Sequence, residues 1–291
     1  MSVFKPGNTA VITGGASGIG LALAIKCVSH GMRVVLVDVN ETALAAAPTS
    51  IIEATAQSDV LSLSVATVQM DVGRPADWVR LRKVVDSHLG DQVHLLALNA
   101  GVGGPSLWTD PAAFQRIWDV NVLGVVHGLA TVLPLVEATA SDSTSASIII
   151  TGSKQGITNP PGTSPAYNAS KAAVRSLAEQ LAFDLAKRAP HVSVHLLVPG
   201  WTHTGLTGGG GSTPKPKPDG AWSPAQVIDY LVPAMAANRF YILCPDNDVT
   251  EAQDSCRVLW SAGDVAYGRA PLSRWRPEYK DEVDAFMSKE Q

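Results

Sequence analysis

A glycine-rich segment between a strand pattern and a helix pattern most restricts the fold of this chain. The apolar run Thr9–Thr13 leads into Thr-Gly-Gly-Ala-Ser-Gly-Ile-Gly at residues 13–20, and a helical pattern over Gly18–His30 follows at once. Glycines here permit a tight turn and let backbone N–H groups approach a pyrophosphate, whose charge is favoured at a helix N-terminus. The strand–turn–helix context therefore predicts a dinucleotide-binding βαβ unit.

The rest of the chain alternates short runs rich in Val, Ile and Leu with longer Ala-rich helical stretches. This pattern predicts an α/β fold of the Rossmann type, a doubly wound, seven-stranded parallel sheet with helices on both faces. Strands are predicted at Thr9–Thr13, Arg33–Asp38, Ala66–Met70, Val93–Leu98, Ser147–Gly152, Val192–Val198 and Phe240–Leu243. Helices are predicted over Gly18–His30, Glu41–Gln57, Pro75–Leu89, Pro111–Ala138, Pro165–Ala189 and Pro224–Asn238.

Composition excludes several other classes of protein. The chain has 291 residues, 46% of them apolar, and a net charge of −4. The apolar content excludes disorder throughout, and the mildly acidic balance argues against a non-specific nucleic-acid or anionic-membrane binder. No apolar run approaches the ~18–20 residues needed to span a bilayer, and the three cysteines show no metal-site spacing, so we expect a reduced, cytoplasmic protein without metal. Cys27 lies among apolar residues and is expected to pack as a small hydrophobe.

A carboxylate closes the second predicted strand. Asp38 follows Val35-Leu36-Val37, where a carboxylate can accept hydrogen bonds from both adenosine ribose hydroxyls and repel a 2′-phosphate. An ordinary turn residue at the strand end is the alternative interpretation. The glycine turn upstream favours the ribose role.

The glycine spacing Thr-Gly-x-x-x-Gly-x-Gly differs from Gly-x-Gly-x-x-Gly, and it resembles the short-chain dehydrogenase/reductase family. Further features occur in the family's order over residues 9 to about 204: Asp71 after the third strand, Asn99-Ala100-Gly101, Asn121, Ser153, Tyr167-x-x-x-Lys171 and Pro199-Gly200. The interval from Ser153 to Tyr167 is slightly longer than usual, and residues 159–162 are expected to absorb the difference. The resemblance implies an oxidoreductase.

The resemblance assigns the catalytic roles to Asn121, Ser153, Tyr167 and Lys171. Tyr167 and Lys171 share a helix face, and Ser164-Pro165 reads as an N-cap followed by a proline in the first turn. We expect Lys171, the helix dipole and a positively charged nicotinamide ring together to lower the Tyr167 pKa toward ~7, so that it acts as general base or acid. Ser153 would hold the substrate oxygen, and Asn121 would anchor a water beside Lys171.

The resemblance also implies the cofactor, for which we expect NAD because Ser17 and Asp38 occupy positions where NADP-specific members often carry basic residues. The expected cofactor-binding residues are Gly14, Ser17, Gly18, Ile19, Gly20, Asp38, Asp71, Val72, Asn99, Ala100, Gly101, Tyr167, Lys171, Pro199, Gly200, Thr202 and Thr204.

The substrate side is less specific. An alcohol or ketone is expected, with a hydrophobic or aromatic body if Leu107, Trp108, Trp201, Leu206, Trp222 and Tyr230 line the cleft. The alternative is that the tryptophans pack structurally. Gly208–Pro218 is either a surface insertion or part of a lid at about residues 202–238.

We expect one catalytic domain over residues 1–244 and an extension at residues 245–291 that packs on the domain or on a neighbouring subunit. The extension carries large apolar residues and helix-like stretches at Val249–Ala262 and Glu278–Met287. The family implies a homo-tetramer or homo-dimer. A lyase or epimerase that keeps NAD bound, or a regulator that senses NAD without turnover, are the alternative functions. The intact proton-transfer set argues against the regulator.

Overall fold

Seven parallel strands form one sheet in the order β3-β2-β1-β4-β5-β6-β7. The structure is a computed structural model and describes residues 2–55, 64–208 and 215–288. The strands are β1 Thr9–Thr13, β2 Arg33–Asp38, β3 Val65–Gln69, β4 Leu95–Leu98, β5 Ala146–Thr151, β6 Val192–Val198 and β7 Tyr241–Leu243. The order reverses between β1 and β4, and an open α/β sheet of this kind binds its ligand at that switch point. The predicted fold class is confirmed.

Ten α-helices occur in the described part of the chain. They are α1 Gly18–Ser29, α2 Glu41–Thr55, α3 Pro75–Leu89, α4 Pro111–Trp118, α5 Gly124–Thr139, α6 Gln155–Thr158, α7 Pro165–Arg188, α8 Pro224–Ala236, α9 Glu251–Ala266 and α10 Lys280–Ser288. Helices α3, α5 and α7 bury apolar side chains on one face of the sheet, and α1, α2 and α8 do so on the other. Both faces are covered, so the strands are apolar throughout rather than alternating.

The segment from Pro111 to Thr139 is apolar and long enough to cross a membrane by length and composition. The expectation that no such segment exists is therefore wrong. Its residues Val125, Val132 and Val136 are buried in the core on the sheet. These contacts are those of a core helix in a doubly wound fold.

The same segment is not the single helix predicted over Pro111–Ala138. A π-helical turn at Asp119–Leu123 separates α4 from α5 and contains Asn121. The other predicted strand and helix ends lie within about two residues of those observed, except that α9 ends at Ala266 rather than at Ala262. Residue 57, the predicted end of α2, falls outside the described residues. The four-residue helix α6 was not predicted.

The three cysteines are buried and unpaired. Burial raises the pKa of the Cys27 thiol, and it raises the pKa of Cys244 to about 12. Thiols held neutral in this way are poor nucleophiles, so packing is the role that the structure gives them. The described residues contain no cluster of His, Cys, Asp or Glu that could hold a metal.

The extension contacts the domain of its own chain through Asp254 of α9, which pairs with Lys154, and it is held together by contacts of its own. Trp260 of α9 is buried, donates from Nε1 to Ser273 Oγ over 2.7 Å and meets the ring of Phe286 at 5.3 Å. The Arg269 guanidinium stacks on Trp260 at 3.9 Å and pairs with Asp264 at 2.9 Å. These contacts hold α9 and α10 together around one tryptophan.

Candidate active site

A cleft of about 950 Å³ opens where the carboxyl ends of the strands meet the connections that follow them. Nearly all of the expected site residues line it: Gly14, Ser17, Gly18, Ile19, Asp38, Asp71, Val72, Asn99, Ala100, Gly101, Ser153, Tyr167, Lys171, Pro199, Gly200, Thr202 and Thr204. Gly20 and Asn121 lie behind the wall instead. The sequence motifs therefore converge on one site.

The glycine turn needs its glycines for two different reasons. Gly14 and Gly18 have φ of +63° and +53°, a region that residues with a side chain rarely adopt. A methyl group on Gly20 would lie 2.1 Å from the carbonyl oxygen of Gly14 and 2.9 Å from Nδ2 of Asn99. Gly20 therefore permits the close packing of α1 on the turn and does not itself line the cleft.

Asp38 is fixed at the end of β2 by two backbone donors. Its Oδ2 accepts from Ala16 N over 3.1 Å, and its Oδ1 accepts from Asn40 N over 3.0 Å. The carboxylate is partly exposed on the cleft, so its remaining lone pairs can accept from a ligand.

Asn99 holds three strands together at the base of the cleft. Its Nδ2 donates to Thr13 O over 3.2 Å, and its Oδ1 accepts from Thr151 Oγ1 over 3.0 Å. Thr13 Oγ1 in turn accepts from the backbone N–H groups of Asn99 and Ala100. Thr13 and Thr151 were not among the expected site residues, because an apolar strand pattern does not show which threonine hydroxyl will bond a residue of the adjacent strand.

Asp71 and Val72 follow β3 and line the cleft on the side of β2 away from β1. Asp71 Oδ1 accepts from Gly73 N over 2.9 Å, and Asp71 N donates to Asp77 Oδ2 over 3.0 Å. The Val72 carbonyl accepts from Trp78 Nε1 over 2.8 Å. These bonds leave the second Asp71 oxygen only a long contact of 3.6 Å with Arg74.

Ser153 and Tyr167 meet at the opposite end of the cleft. Ser164 caps α7 by accepting from Tyr167 N over 3.4 Å, and Pro165 opens the helix, as predicted. This cap places Tyr167 in the first turn, where its side chain lies near Ser153. Gln155 N donates to Ser153 Oγ over 3.2 Å and orients the serine.

Burial dominates the effect of the protein's own groups on the Tyr167 pKa. It raises the pKa above its ordinary value, and the Ser153 side chain lowers it only in part. The lowering expected from Lys171, the helix dipole and a nicotinamide ring together stays a prediction. Lys171 lies 5.8 Å from the Tyr167 ring centroid and donates to Thr151 O over 2.7 Å. Burial also lowers the Lys171 pKa to about 8, so its charge is less available to the phenol than the spacing suggested.

Asn121 faces Lys171 from the π-helical turn. Its Nδ2 donates to Val102 O and Ser170 Oγ, both over 3.0 Å, and its Oδ1 accepts from Val102 N over 2.8 Å. A methyl group on Gly101 would lie 3.3 Å from Asn121 Oδ1 and 3.5 Å from Lys171 Nζ. The missing side chain of Gly101 therefore leaves room between the amide oxygen and the ammonium.

The segment after β6 crosses the cleft near the glycine turn. Thr202 is buried and pairs with Trp222, and Thr204 carbons lie 3.2 Å from the place that a Gly18 methyl group would take. Residues 209–214 of the expected lid lie outside the described residues. The later part of the expected lid includes α8, which buries Val227 and Leu231 in the core.

Trp201 and Leu206 line the cleft, but the other expected aromatic and apolar residues do not. Trp108 is 83% exposed and lies against Phe114, and Trp222 packs on Tyr230 at 5.9 Å. The substrate-lining expectation is therefore wrong for Leu107, Trp108, Trp222 and Tyr230.

Comparison with known proteins agrees with this geometry. Residues 8–214 match the model of the short chain dehydrogenase family. The chain belongs to the short-chain dehydrogenase/reductase family. It is an oxidoreductase of that family, with the family's motifs placed around one cleft.

Two curated relatives and one solved structure align with most of this chain. It is 31% identical to a 1-deoxy-11-beta-hydroxypentalenate dehydrogenase of Streptomyces avermitilis over 87% of this chain and 90% of that one. It is 32% identical to an NADP-dependent (R)-specific alcohol dehydrogenase of Lentilactobacillus kefiri over 69% and 75% of the two chains. A structure of a Burkholderia phymatum family member in complex with NAD superimposes with a TM-score of 0.78 at 32% identity, covering 93% and 98%.

Proposed function

We propose that this dehydrogenase interconverts a secondary alcohol and a ketone with NAD(H), using Tyr167 as the acid or base. The observation that carries the proposal is the meeting of the Tyr167 and Ser153 hydroxyls beside Lys171, in the cleft that the glycine turn opens into. Two hydroxyls that lie near each other on one cleft can both reach one substrate oxygen. A non-catalytic nucleotide-binding protein has no need of this arrangement.

The chain's own residues fit a dinucleotide. Gly14 and Gly18, both with positive φ, line the cleft beside the N-terminus of α1, where a pyrophosphate charge is favoured. Asp38 would bind the adenosine ribose, and Asp71 and Val72 would lie along the adenine. Asn99, Ala100 and Gly101 would form the floor, and Thr202 and Thr204 would hold the carboxamide end. When bound, the dinucleotide supplies the hydride acceptor or donor.

Asp38 supports NAD over NADP, a choice on which the relatives named above differ. The carboxylate is held by Ala16 N and Asn40 N, so it cannot easily turn away from a 2′-phosphate. Arg33, at the other end of β2, donates to the carbonyls of His88 and Leu89 and cannot compensate.

Protons would pass through residues of this chain and one water. Tyr167 would donate its proton to a ketone oxygen or accept one from an alcohol, while Ser153 would hold that oxygen. The Lys171 ammonium would stabilise the phenolate. The space beside Gly101, between Asn121 Oδ1 and Lys171 Nζ, would hold a water that exchanges the proton with solvent.

The end of the cleft beside Ser153 and Tyr167, here called the substrate pole, is apolar on one side. Trp201 and Leu206 line it together with Val102. We therefore propose a substrate with a hydrophobic body that carries the hydroxyl or carbonyl group.

Absorbance at 340 nm tests the proposal in both directions. Purified protein is mixed with NAD⁺ and a panel of cyclic and aromatic secondary alcohols, and with NADH and the matching ketones. Turnover that requires both partners and is lost in Tyr167→Phe is the expected result. A chain that binds NADH but never changes its absorbance with any pair would contradict it.

A further inference from the structure

The residue that follows Ser153 carries a buried charge that the proton-transfer scheme does not use. Lys154 Nζ lies 2.5 Å from Asp254 Oδ2 and 3.5 Å from Asp246 Oδ2. The three side chains are only 18%, 4% and 6% exposed. Asp254 belongs to α9 of the extension and Asp246 follows β7.

Lys154 also has a structural place in the backbone next to the serine. Its carbonyl accepts from Ile157 N and Thr158 N, so it opens the short helix α6. Gln155 N, in the first turn of α6, donates to Ser153 Oγ. The position of the Ser153 hydroxyl is thereby tied to the turn that Lys154 begins.

Asp246 extends the connection to the other side of the cleft. Its Oδ2 accepts from Trp201 N over 3.0 Å, and Trp201 lines the substrate pole. A methyl group on Gly200 would lie 2.8 Å from the same oxygen, so the Gly200 backbone packs directly on this carboxylate. Asp246 and Asp254 therefore contact both segments that flank the substrate pole, one through Lys154 and the other through Trp201.

We propose that Asp254 and Asp246, acting through Lys154, position Ser153 for reaction, and that the extension thereby forms part of the active-site support. The inference rests on the proposed function for the role of Ser153. Lys154 is a positioning residue in this scheme and does not contact the reacting atoms.

Charge balance favours positioning over direct recognition of an acidic substrate. Lys154 is already shared between two carboxylates, and Arg257 lies 3.9 Å from the second oxygen of Asp254. Buried charges of this kind are costly to leave unpaired, so they hold their geometry. A lysine committed to two partners has little charge left for a substrate carboxylate.

The decisive variant is Asp254→Asn, which keeps the shape of α9 and removes one charge from Lys154. Lys154→Arg retains the cation and is the rescue variant. Asp264→Asn is the matched control, because Asp264 is a carboxylate of α9 that is only 12% exposed but bonds Arg269 and Ser273 within the extension. Each protein is examined for kcat, KM, NADH affinity by fluorescence, and hydrogen exchange in a peptide covering residues 153–163.

Asp254→Asn should lower kcat by about 10- to 100-fold, the loss that misplacement of a reacting group by ~1 Å produces. KM and NADH affinity should change less than about twofold, and exchange in residues 153–163 should quicken. Lys154→Arg should keep most of the activity. Asp264→Asn should leave kcat and this exchange unchanged while it loosens the extension.

Wild-type kcat and wild-type exchange in Asp254→Asn would overturn the proposal, and so would an equal loss of kcat in Asp264→Asn. A rise in KM confined to acidic substrates in Lys154→Arg would show that Lys154 recognises substrate instead. If the wild type turns over no substrate, the proposed function fails, and hydrogen exchange alone still decides whether Asp254 holds the Ser153 segment.

Discussion

Asp38 Oδ2 accepts a hydrogen bond from Ala16 N over 3.1 Å, which ties the carboxylate at the end of β2 to the glycine turn at the end of β1. The two elements that would contact opposite ends of an adenosine diphosphate are therefore set by one bond. A fixed carboxylate discriminates against a phosphate more strongly than a mobile one, because it cannot withdraw.

Asp38→Asn should narrow the preference for NAD over NADP by about 10- to 100-fold, since it removes the repulsion of the 2′-phosphate and keeps the side-chain shape. Asp38→Ala should in addition weaken NAD binding, because the bond to Ala16 is lost. Affinities for both dinucleotides by fluorescence titration check the prediction. A wild-type protein that already prefers NADP would contradict the role given to this carboxylate.

Tyr167→Phe should reduce turnover by about 10²- to 10⁴-fold, the usual contribution of a general acid or base. NADH affinity should stay nearly unchanged because the glycine turn and Asp38 are distant from the lost hydroxyl. Steady-state rates and NADH titration measure the two effects separately. Activity above about 1% of wild type would show that another group transfers the proton.

The pH profiles should differ between the two directions of reaction. Burial raises the pKa of Tyr167, so the protonated phenol predominates at neutral pH and the phenolate fraction grows about tenfold for each pH unit. Ketone reduction should therefore be flat near neutrality, whereas alcohol oxidation should rise with pH through the neutral and alkaline range. An oxidation profile already flat at pH 7 would show that the bound dinucleotide lowers the phenol pKa below neutrality.

The sequence was sufficient to predict the sheet and most of the motif residues that face the cleft, because these depend on local patterns. Apolar runs predict the strands, and the Ser164-Pro165 cap correctly predicts where α7 begins. The π-helical turn at Asn121 was not predictable, since it depends on bonds to Val102 and Ser170 that lie far away in sequence. The burial that raises the Tyr167 pKa was not predicted, because spacing reveals a neighbouring lysine but not the burial of both groups.

Gly20→Ala should disrupt the turn, because the new methyl group would lie 2.1 Å from Gly14 O, a backbone atom that cannot move without the strand end. We expect a loss of stability of about 1–3 kcal/mol, typical of overpacking, together with loss of dinucleotide binding. Gly205→Ala is the control for stability, since its methyl group would meet nothing within 4 Å. Thermal unfolding of both variants checks this. Equal midpoints would contradict the close packing of α1 on the turn.

Trp260→Ala should unfold the extension without shortening the chain. The indole is 3% exposed, carries the Arg269 stack and bonds Ser273, so its removal should cost about 3–5 kcal/mol. Leu259→Ala is the matched control, because Leu259 neighbours Trp260 in the chain but its side chain is 56% exposed.

Thermal unfolding, light-scattering mass and substrate KM are measured for both variants and for a chain ending at Asn247. A smaller assembly or an altered KM in Trp260→Ala and the shortened chain would support a role in assembly or substrate enclosure. Wild-type mass, KM and midpoint in both would exclude any such role, since the extension would then be dispensable to the enzyme it packs against.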